Sequence, residues 1–483
     1  MKLTKKLIAV FLSVVMAMSC CTVALAKTEE PTPIVIVEGI MIEENFLDYG
    51  TENERNTLSA IDIPKVIFEV VKAIVFSSVF HDKQMFVDGF CAAASEALKY
   101  FSCDKNGDSV YDIQSPKYPQ ALSKCDRKPE GTEYEPGLIN TAVERYGADY
   151  CYFYAYDWRL DPMENAKEIN ALIETAKKDH NCDKVNFISA SMGGVNALAY
   201  LYNYGSDSIK NCVFLSSTFC GTYVASDLFS GKIDFNGLAV RNFIGSLIGN
   251  VPVVDQLLNI VYNFGVFNLL GGFLNKFVEN NKEQIYKDVL RDNFATMPSL
   301  WAMVLPEEYE ECMNFMFPTE EDKKEYAGLI SRADSLQEML RNKDEMLEDA
   351  VENGMQIEII ASYDLALIPA YERATVNGDN TLESELMLGG ATVAKYGETL
   401  GEDYQAAKPE LVSPDNVVDL STALYPEYTW VIKGAPHVPC RKGSECSNFI
   451  LDVAESETQP TASNYRDYSQ FMRVDSDMNF IAF

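Results

Sequence analysis

Short, largely apolar runs recur along the chain: Ile34–Val37, Tyr150–Tyr156, Val185–Ile188, Val213–Leu215, Ile357–Ile360 and Tyr428–Ile432. None alternates cleanly between apolar and polar positions, as a strand with one wet face would. They are therefore expected to be strands buried on both faces. Helical periodicity separates several of them, over Glu164–Lys178 and Gly194–Tyr204. Strands alternating with helices predict an α/β fold built on a mostly parallel sheet flanked by helices.

The rhythm breaks between Gly221 and Gly354, where no strand pattern stands out. Leu238–Leu247, Val253–Phe267 and Phe273–Lys287 read as apolar helices, and acidic helices follow over Glu320–Glu352. This stretch is expected to be a largely helical cap or lid inserted over the sheet. Its apolar residues, Phe264, Phe267, Leu269, Leu270 and Phe273 among them, suit either a packed cap or a lid lining an acyl-chain site. The expected organisation is residues 1–26 as a signal peptide, 27–220 as the first part of the core, 221–354 as the cap, 355–455 as the second part of the core, and 456–483 as a loosely attached C-terminal tail.

The first 26 residues carry a basic start, Lys2 to Lys6, then an apolar run from Leu7 to Val23, and close on Ala24-Leu25-Ala26. This is the pattern of a secretory signal. The run is shorter than the ~20 residues of a spanning helix. The protein is expected to be secreted, with a lipid anchor at the cell surface through Cys20 as the alternative. A net charge of −32 argues against nucleic acid as a partner, because its phosphates would be repelled. It also argues against attraction to anionic lipid heads; with no later stretch apolar enough to span a bilayer, membrane contact is expected to be at most peripheral, through the cap. Ten of the twelve cysteines follow the signal, and export permits disulfides among them. Cys440 with Cys446, closing a short loop, and then Cys103 with Cys125 are the expected pairs. With three histidines and no CxxC pair, neither a metal centre nor a cofactor is expected. The turn Asp104-Lys105-Asn106-Gly107-Asp108 resembles the start of a calcium loop but has Ser109 and Ser115 where glycine and glutamate are needed.

The candidate chemistry centres on Ser189-Ala190-Ser191-Met192-Gly193-Gly194. An apolar strand runs into Ser-x-Ser-x-Gly and a helix-forming stretch follows, the context of a nucleophile elbow. Ser191 is the candidate nucleophile. A general base must follow, and His437 is the one histidine after Ser191. It lies in Gly434-Ala435-Pro436-His437, beyond a strand-like run. Asp364, directly after a strand, or Asp379, in Asn377-Gly378-Asp379-Asn380-Thr381, could accept the imidazole proton. Position alone does not separate them. The oxyanion donors are expected to be the backbone N–H groups of Met192 and Ile40.

Five islands resemble the lecithin:cholesterol acyltransferase and lysosomal phospholipase A2 family. Pro33–Gly39 is similar to its oxyanion strand, with Glu38 in place of proline. Ala155-Tyr156-Asp157-Trp158-Arg159-Leu160-Asp161-Pro162 is similar to its most specific signature. Phe187–Gly194 is similar to its elbow, with Ser189-Ala190 where Gly-His is usual. Asn377–Leu382 and Gly434–Val438 are similar to its acid and histidine motifs. The insertion does not match. The resemblance implies an α/β-hydrolase fold, Asp379 as the acid, and the Ile40 and Met192 donors. Trp158 is expected to pack beneath the cap and Arg159 to pair with a carboxylate.

These readings predict a secreted serine ester hydrolase or acyltransferase of lipase or phospholipase type. Its partner would be a lipid or other ester, with an alcohol acyl acceptor as an alternative to water. The competing expectations are a small-ester esterase with a merely structural cap, and a non-catalytic surface-binding protein that retains the fold.

Overall fold

The computed structural model describes residues 30–40, 44–57, 59–62, 65–66, 68–69, 72, 76, 81–129, 135–247, 252–465 and 467–483. The expected signal peptide and Cys20 lie outside them. Eight strands form the main sheet: β1 (Ile34–Val37), β2 (Cys151–Tyr154), β3 (Val185–Ala190), β4 (Ile209–Leu215), β5 (Gln356–Tyr363), β6 (Thr429–Lys433), β7 (Phe471–Val474) and β8 (Phe480–Ile481). Their order is β8-β7-β6-β5-β4-β3-β1-β2. Every pairing is parallel except that of β7 with β8.

The continuous apolar runs have the cause expected of them. Alternate residues of one strand feed two different cores. Val35 and Val37 join Phe187, Phe214 and Ile359 on one face, while Ile34 and Ile36 join Ile188, Val213 and Ile360 on the other. Helices Pro162–His180 and Gly193–Tyr204 pack on the first face, and Glu135–Tyr146 and Glu445–Ala454 on the second. Helix Pro162–His180 is delimited by local chemistry. The Asp161 carboxylate accepts the Met163 N–H at 2.9 Å, Pro162 opens the helix, and Asn181 closes it in the left-handed region at φ 48°.

Strand order reverses between β1 and β3. The chain leaves β1 for β2 on one side and returns to β3 on the other, so the loops after β1 and β3 open a crevice at their carboxyl ends. Open parallel sheets bind their ligands at such a switch point.

Between β4 and β5 the described residues contain helices and no strand. The helix expected over Val253–Phe267 is divided. Pro252–Asn263 and Val266–Asn280 meet at Gly265, whose φ of 73° ends the first helix, and the two axes bend by 59°. No single described helix is long and apolar enough to cross a membrane.

Two expectations are corrected. Residues 456–483 are not a loose tail. They supply β7 and β8, and Tyr468 and Phe480 pack on Phe449 of the helix behind the sheet. Those strands are short and interleaved with polar residues, so their pattern is weak. The expected Cys440–Cys446 and Cys103–Cys125 disulfides are not formed. Cys103 belongs to the core on one face of the sheet and Cys125 to the core on the other, so the sheet itself separates them. Cys440 and Cys446 are both buried in the second core.

Candidate active site

β3 ends at Ala190, and Ser191 stands at the bend with φ 53°. That region is costly for a residue with a side chain. Backbone bonds hold the bend: the Ser191 N–H donates to the Leu215 carbonyl at 2.9 Å, and the Ser191 carbonyl accepts from Gly194 at 3.1 Å and Thr218 at 3.0 Å. The small residues around it have a steric reason. A Cβ on Gly193 would lie 2.5 Å from the Val37 carbonyl oxygen, and one on Gly194 would lie 1.7 Å from Ser217 Oγ. Ser189, where glycine is usual, fits because its hydroxyl donates to the Val213 carbonyl at 3.1 Å.

His437 follows β6 through Gly434, which has φ 73° and donates its N–H to the Tyr363 carbonyl at 2.8 Å. Val438 is then held at φ 48°, a strained setting for a β-branched residue. This path brings His437 Nε2 to 2.8 Å from Ser191 Oγ. Nδ1 lies 2.7 Å from Oδ2 of Asp379, whose side chain is fully buried. The other oxygen, Oδ1, accepts the N–H groups of Thr381 at 3.0 Å and Leu382 at 2.8 Å. The carboxylate is therefore fixed by its own turn and presents one oxygen to the imidazole.

The structure thus brings Ser191, His437 and Asp379 together. Asp364 is engaged elsewhere. Its carboxylate lies 3.4 Å from Lys433 Nζ and its N–H donates to Asn377 Oδ1. Burial pushes the Asp364 carboxyl up from its ordinary pKa, against the opposing pull of Lys433. Of the other histidines, His180 stacks on Tyr150 with its Nε2 3.0 Å from the Asp149 carbonyl, and His81 is exposed beside helix Lys83–Leu98.

The loop after β1 runs directly alongside the nucleophile. A Cβ on Gly39 would fall 2.5 Å from Ser191 Cβ and 2.7 Å from its Oγ. This places Gly39 beside Ser191; Met192, the residue after Ser191, is buried. Sequence reasoning missed what steadies this loop: the Tyr156 hydroxyl donates to the Glu38 carbonyl at 2.9 Å. It also missed the Thr381 and Leu382 donors, although Asp379-Asn380-Thr381 is the sequence of an Asx turn. Arg159 is fully buried. It bonds to both oxygens of Asp157, to the Tyr100 carbonyl and to Ser109 Oγ. Trp158 is buried in the first core, tilted against Phe101. The turn at Asp104 folds on itself, and Arg332 of the insertion binds Asp108 at 2.8 Å.

Residues 157–230 match the model of a family described as alpha/beta hydrolase of unknown function (DUF915). That span holds β3, the bend at Ser191 and β4. With the parallel sheet and its flanking helices, it decides the class. The chain has the α/β-hydrolase fold. No curated protein matches it. Among solved structures, the crystal structure of the Tle4-Tli4 complex is similar at 12% identity and a TM-score of 0.21, over 41% of this chain and 48% of that one. The chain therefore spans about half the length of that structure's chain. The α/β-hydrolase match points to a hydrolase at the coarse level.

Proposed function

We propose that the protein is a serine ester hydrolase in which Ser191 is the nucleophile, His437 the general base and Asp379 the acid. The observation that carries this reading is the continuous line from Ser191 Oγ to His437 Nε2, at 2.8 Å, and from Nδ1 to the buried Asp379 carboxylate, at 2.7 Å. Both separations lie within the reach a general base needs. His437 takes the Ser191 proton as Oγ attacks the ester carbonyl. Asp379 holds the tautomer with Nδ1–H and stabilises the imidazolium that forms. The N–H groups of Ile40 and Met192 receive the oxyanion. His437 then protonates the leaving alcohol, and water, or an acceptor alcohol in the acyltransferase form of the reaction, resolves the acyl-enzyme.

A lipid ester is the proposed substrate. Support comes from the helical insertion, where Phe264 is 82% exposed, Leu269 78% and Phe273 70%. The twenty residues from Gln256 to Asn275 contain no charged side chain, in a chain of net charge −32. An uncharged apolar face on so acidic a protein suits peripheral contact with a neutral lipid surface. The leader of residues 1–26 supports export. The proposed relation to the lecithin:cholesterol acyltransferase and lysosomal phospholipase A2 family rests on the five sequence islands.

Labelling with a fluorophosphonate probe tests the reading. Wild type should be labelled, and Ser191→Ala and His437→Ala should not. A folded wild type that stays unlabelled at every pH from 5 to 9 would leave the retained fold as a non-catalytic scaffold.

A further inference from the structure

Asp379 sits at the end of a segment, residues 365–384, that leaves β5 and returns to it. At its root the segment is fastened to the strand. Leu365 and Gly378 exchange N–H to carbonyl bonds at 2.9 and 3.1 Å, and Ser384 Oγ donates to the Ser362 carbonyl at 2.9 Å. Besides the Asp379–His437 contact, several further ties run from it to the insertion. Asn380, next to the acid, donates to Ser246 Oγ at 2.9 Å. Arg373 binds the fully buried Asp227 through Nε at 2.9 Å and Nη2 at 2.6 Å, and holds both oxygens of Glu308 at 2.7 Å. Glu383 receives the Thr222 hydroxyl at 2.8 Å on one oxygen and the Tyr371 hydroxyl at 2.9 Å on the other.

Glu383 stands apart among these. It is fully buried, and burial pushes its carboxyl above the ordinary range. It forms a bridge with Gly378 and follows Leu382, whose carbonyl accepts the Asp379 N–H at 3.1 Å. A carboxylate is expensive to bury unless its acceptor sites are met. Here both oxygens are met by hydroxyl donors, one of them on Thr222, the first residue ahead of the insertion's opening helix, Tyr223–Phe229. Glu383 thereby ties the base of the insertion to the turn that aims Asp379.

We propose that Glu383 is a positioning residue that sets the Asp379–His437 hydrogen bond by anchoring the acid turn to the insertion through Thr222 and Tyr371. Its kinetic consequence rests on the serine-hydrolase reading; its structural consequence does not. The insertion is then part of the catalytic frame as well as a cover over the sheet. A shift of its opening helix would move the acid relative to the imidazole, and misplacements near 1 Å can cost about 10²-fold in rate.

The test compares Glu383→Ala, Glu383→Gln and Thr222→Val with wild type by two readouts. One is the proton spectrum of the full chain in the far-downfield region, where the Nδ1–H of a histidine bonded to a carboxylate resonates. The other is the pH profile of the fluorophosphonate labelling rate. In Glu383→Ala the downfield signal should broaden or move, labelling should fall about 10²-fold, and the acidic limb of the profile should drop by about one pH unit, because a carboxylate held less closely favours the imidazolium less. Glu383→Gln, which keeps an acceptor between two rotatable hydroxyls, should recover most of the rate. Thr222→Val, close to isosteric, should shift both readouts in the same direction and serves if Glu383→Ala does not fold. An unmoved downfield signal and acidic limb in folded variants would overturn the proposal and reduce Glu383 to a stabilising residue. An unlabelled wild type whose downfield signal nevertheless moves in the variants would sink the hydrolase reading while the positioning role stands.

Discussion

Replacing Asp379 with Asn is the sharpest perturbation, because the local bonding fixes what the new amide must do. Oδ1 of Asp379 is committed to two backbone donors, Thr381 N–H and Leu382 N–H. A carbonyl oxygen must keep that place, since an NH2 there would face both donors. The Asn amide nitrogen is therefore directed at His437 Nδ1, now 2.7 Å from Oδ2. Two N–H groups cannot point at each other across that gap, so Nδ1 must become the acceptor. The imidazole then carries its proton on Nε2, aimed at Ser191 Oγ 2.8 Å away, and can no longer take the serine proton. Such a wrong-tautomer change costs about 10⁴-fold in kcat, or about 5.5 kcal/mol of transition-state stabilisation. The fold should be kept, because the turn bonds survive. The assay is turnover of a p-nitrophenyl ester alongside fluorophosphonate labelling, with melting temperature as the control. Asp364→Asn, which removes an ion pair with Lys433 and leaves the imidazole's partner in place, should stay within a few-fold of wild type. A loss in Asp364→Asn with full activity in Asp379→Asn would refute the assignment of the acid.

Other outcomes follow from single observations. Gly39→Ala puts a methyl 2.5 Å from Ser191 Cβ; labelling should fall by about 10²-fold or more, at a cost in stability of about 1–3 kcal/mol read by denaturant titration. Glu358 is fully buried in β5, and its Oε2 has no hydrogen-bond partner, so burial raises its folded pKa well above the usual carboxylate value. The folded state then keeps a proton that the unfolded chain releases. Stability from this group is present below the unfolded pKa and is lost as pH rises through the folded one. Glu358→Gln should accordingly raise the melting temperature at pH 8 and leave it nearly unchanged at pH 4, and an equal shift at both would count against the buried neutral acid. Changing Phe264, Leu269 and Phe273 together to Ser should weaken sedimentation with phosphatidylcholine vesicles by about 100-fold or more, given roughly 1.5–3 kcal/mol per buried large side chain, without altering turnover of a soluble ester. Equal vesicle binding would remove the lipid-contact role of this face.

Much of the candidate site was legible because its parts are local. The bend at Ser191 needs small neighbours within three residues, and the histidine had no competitor in the chain after Ser191, so Ser191 and His437 could be named from order and composition. The parallel sheet was legible because strands buried on both faces lose their alternation, as Ile34–Val37 does. The choice between Asp364 and Asp379 could not be read from position. Both follow β5 in turns, and which carboxylate reaches the imidazole depends on how a twenty-residue segment folds back. Tertiary structure decided it, through the Thr381 and Leu382 donors on one side and the Lys433 ion pair on the other. The last strands were hidden for a related reason. Phe471–Val474 and Phe480–Ile481 are too short to carry a pattern; β7 pairs with β6, β8 pairs with β7, and Phe480 packs on Phe449. The Cys103–Cys125 expectation failed on the same ground: spacing along the chain says nothing about which side of a sheet a thiol will occupy. What the sequence determined by itself was the chemistry that depends on neighbours in the chain. What the tertiary structure alone decided was partnerships such as Glu383 with Thr222, the pairing of the last strands and the side of the sheet that Cys103 and Cys125 take, because those rest on burial and hydrogen-bond satisfaction that no local pattern records.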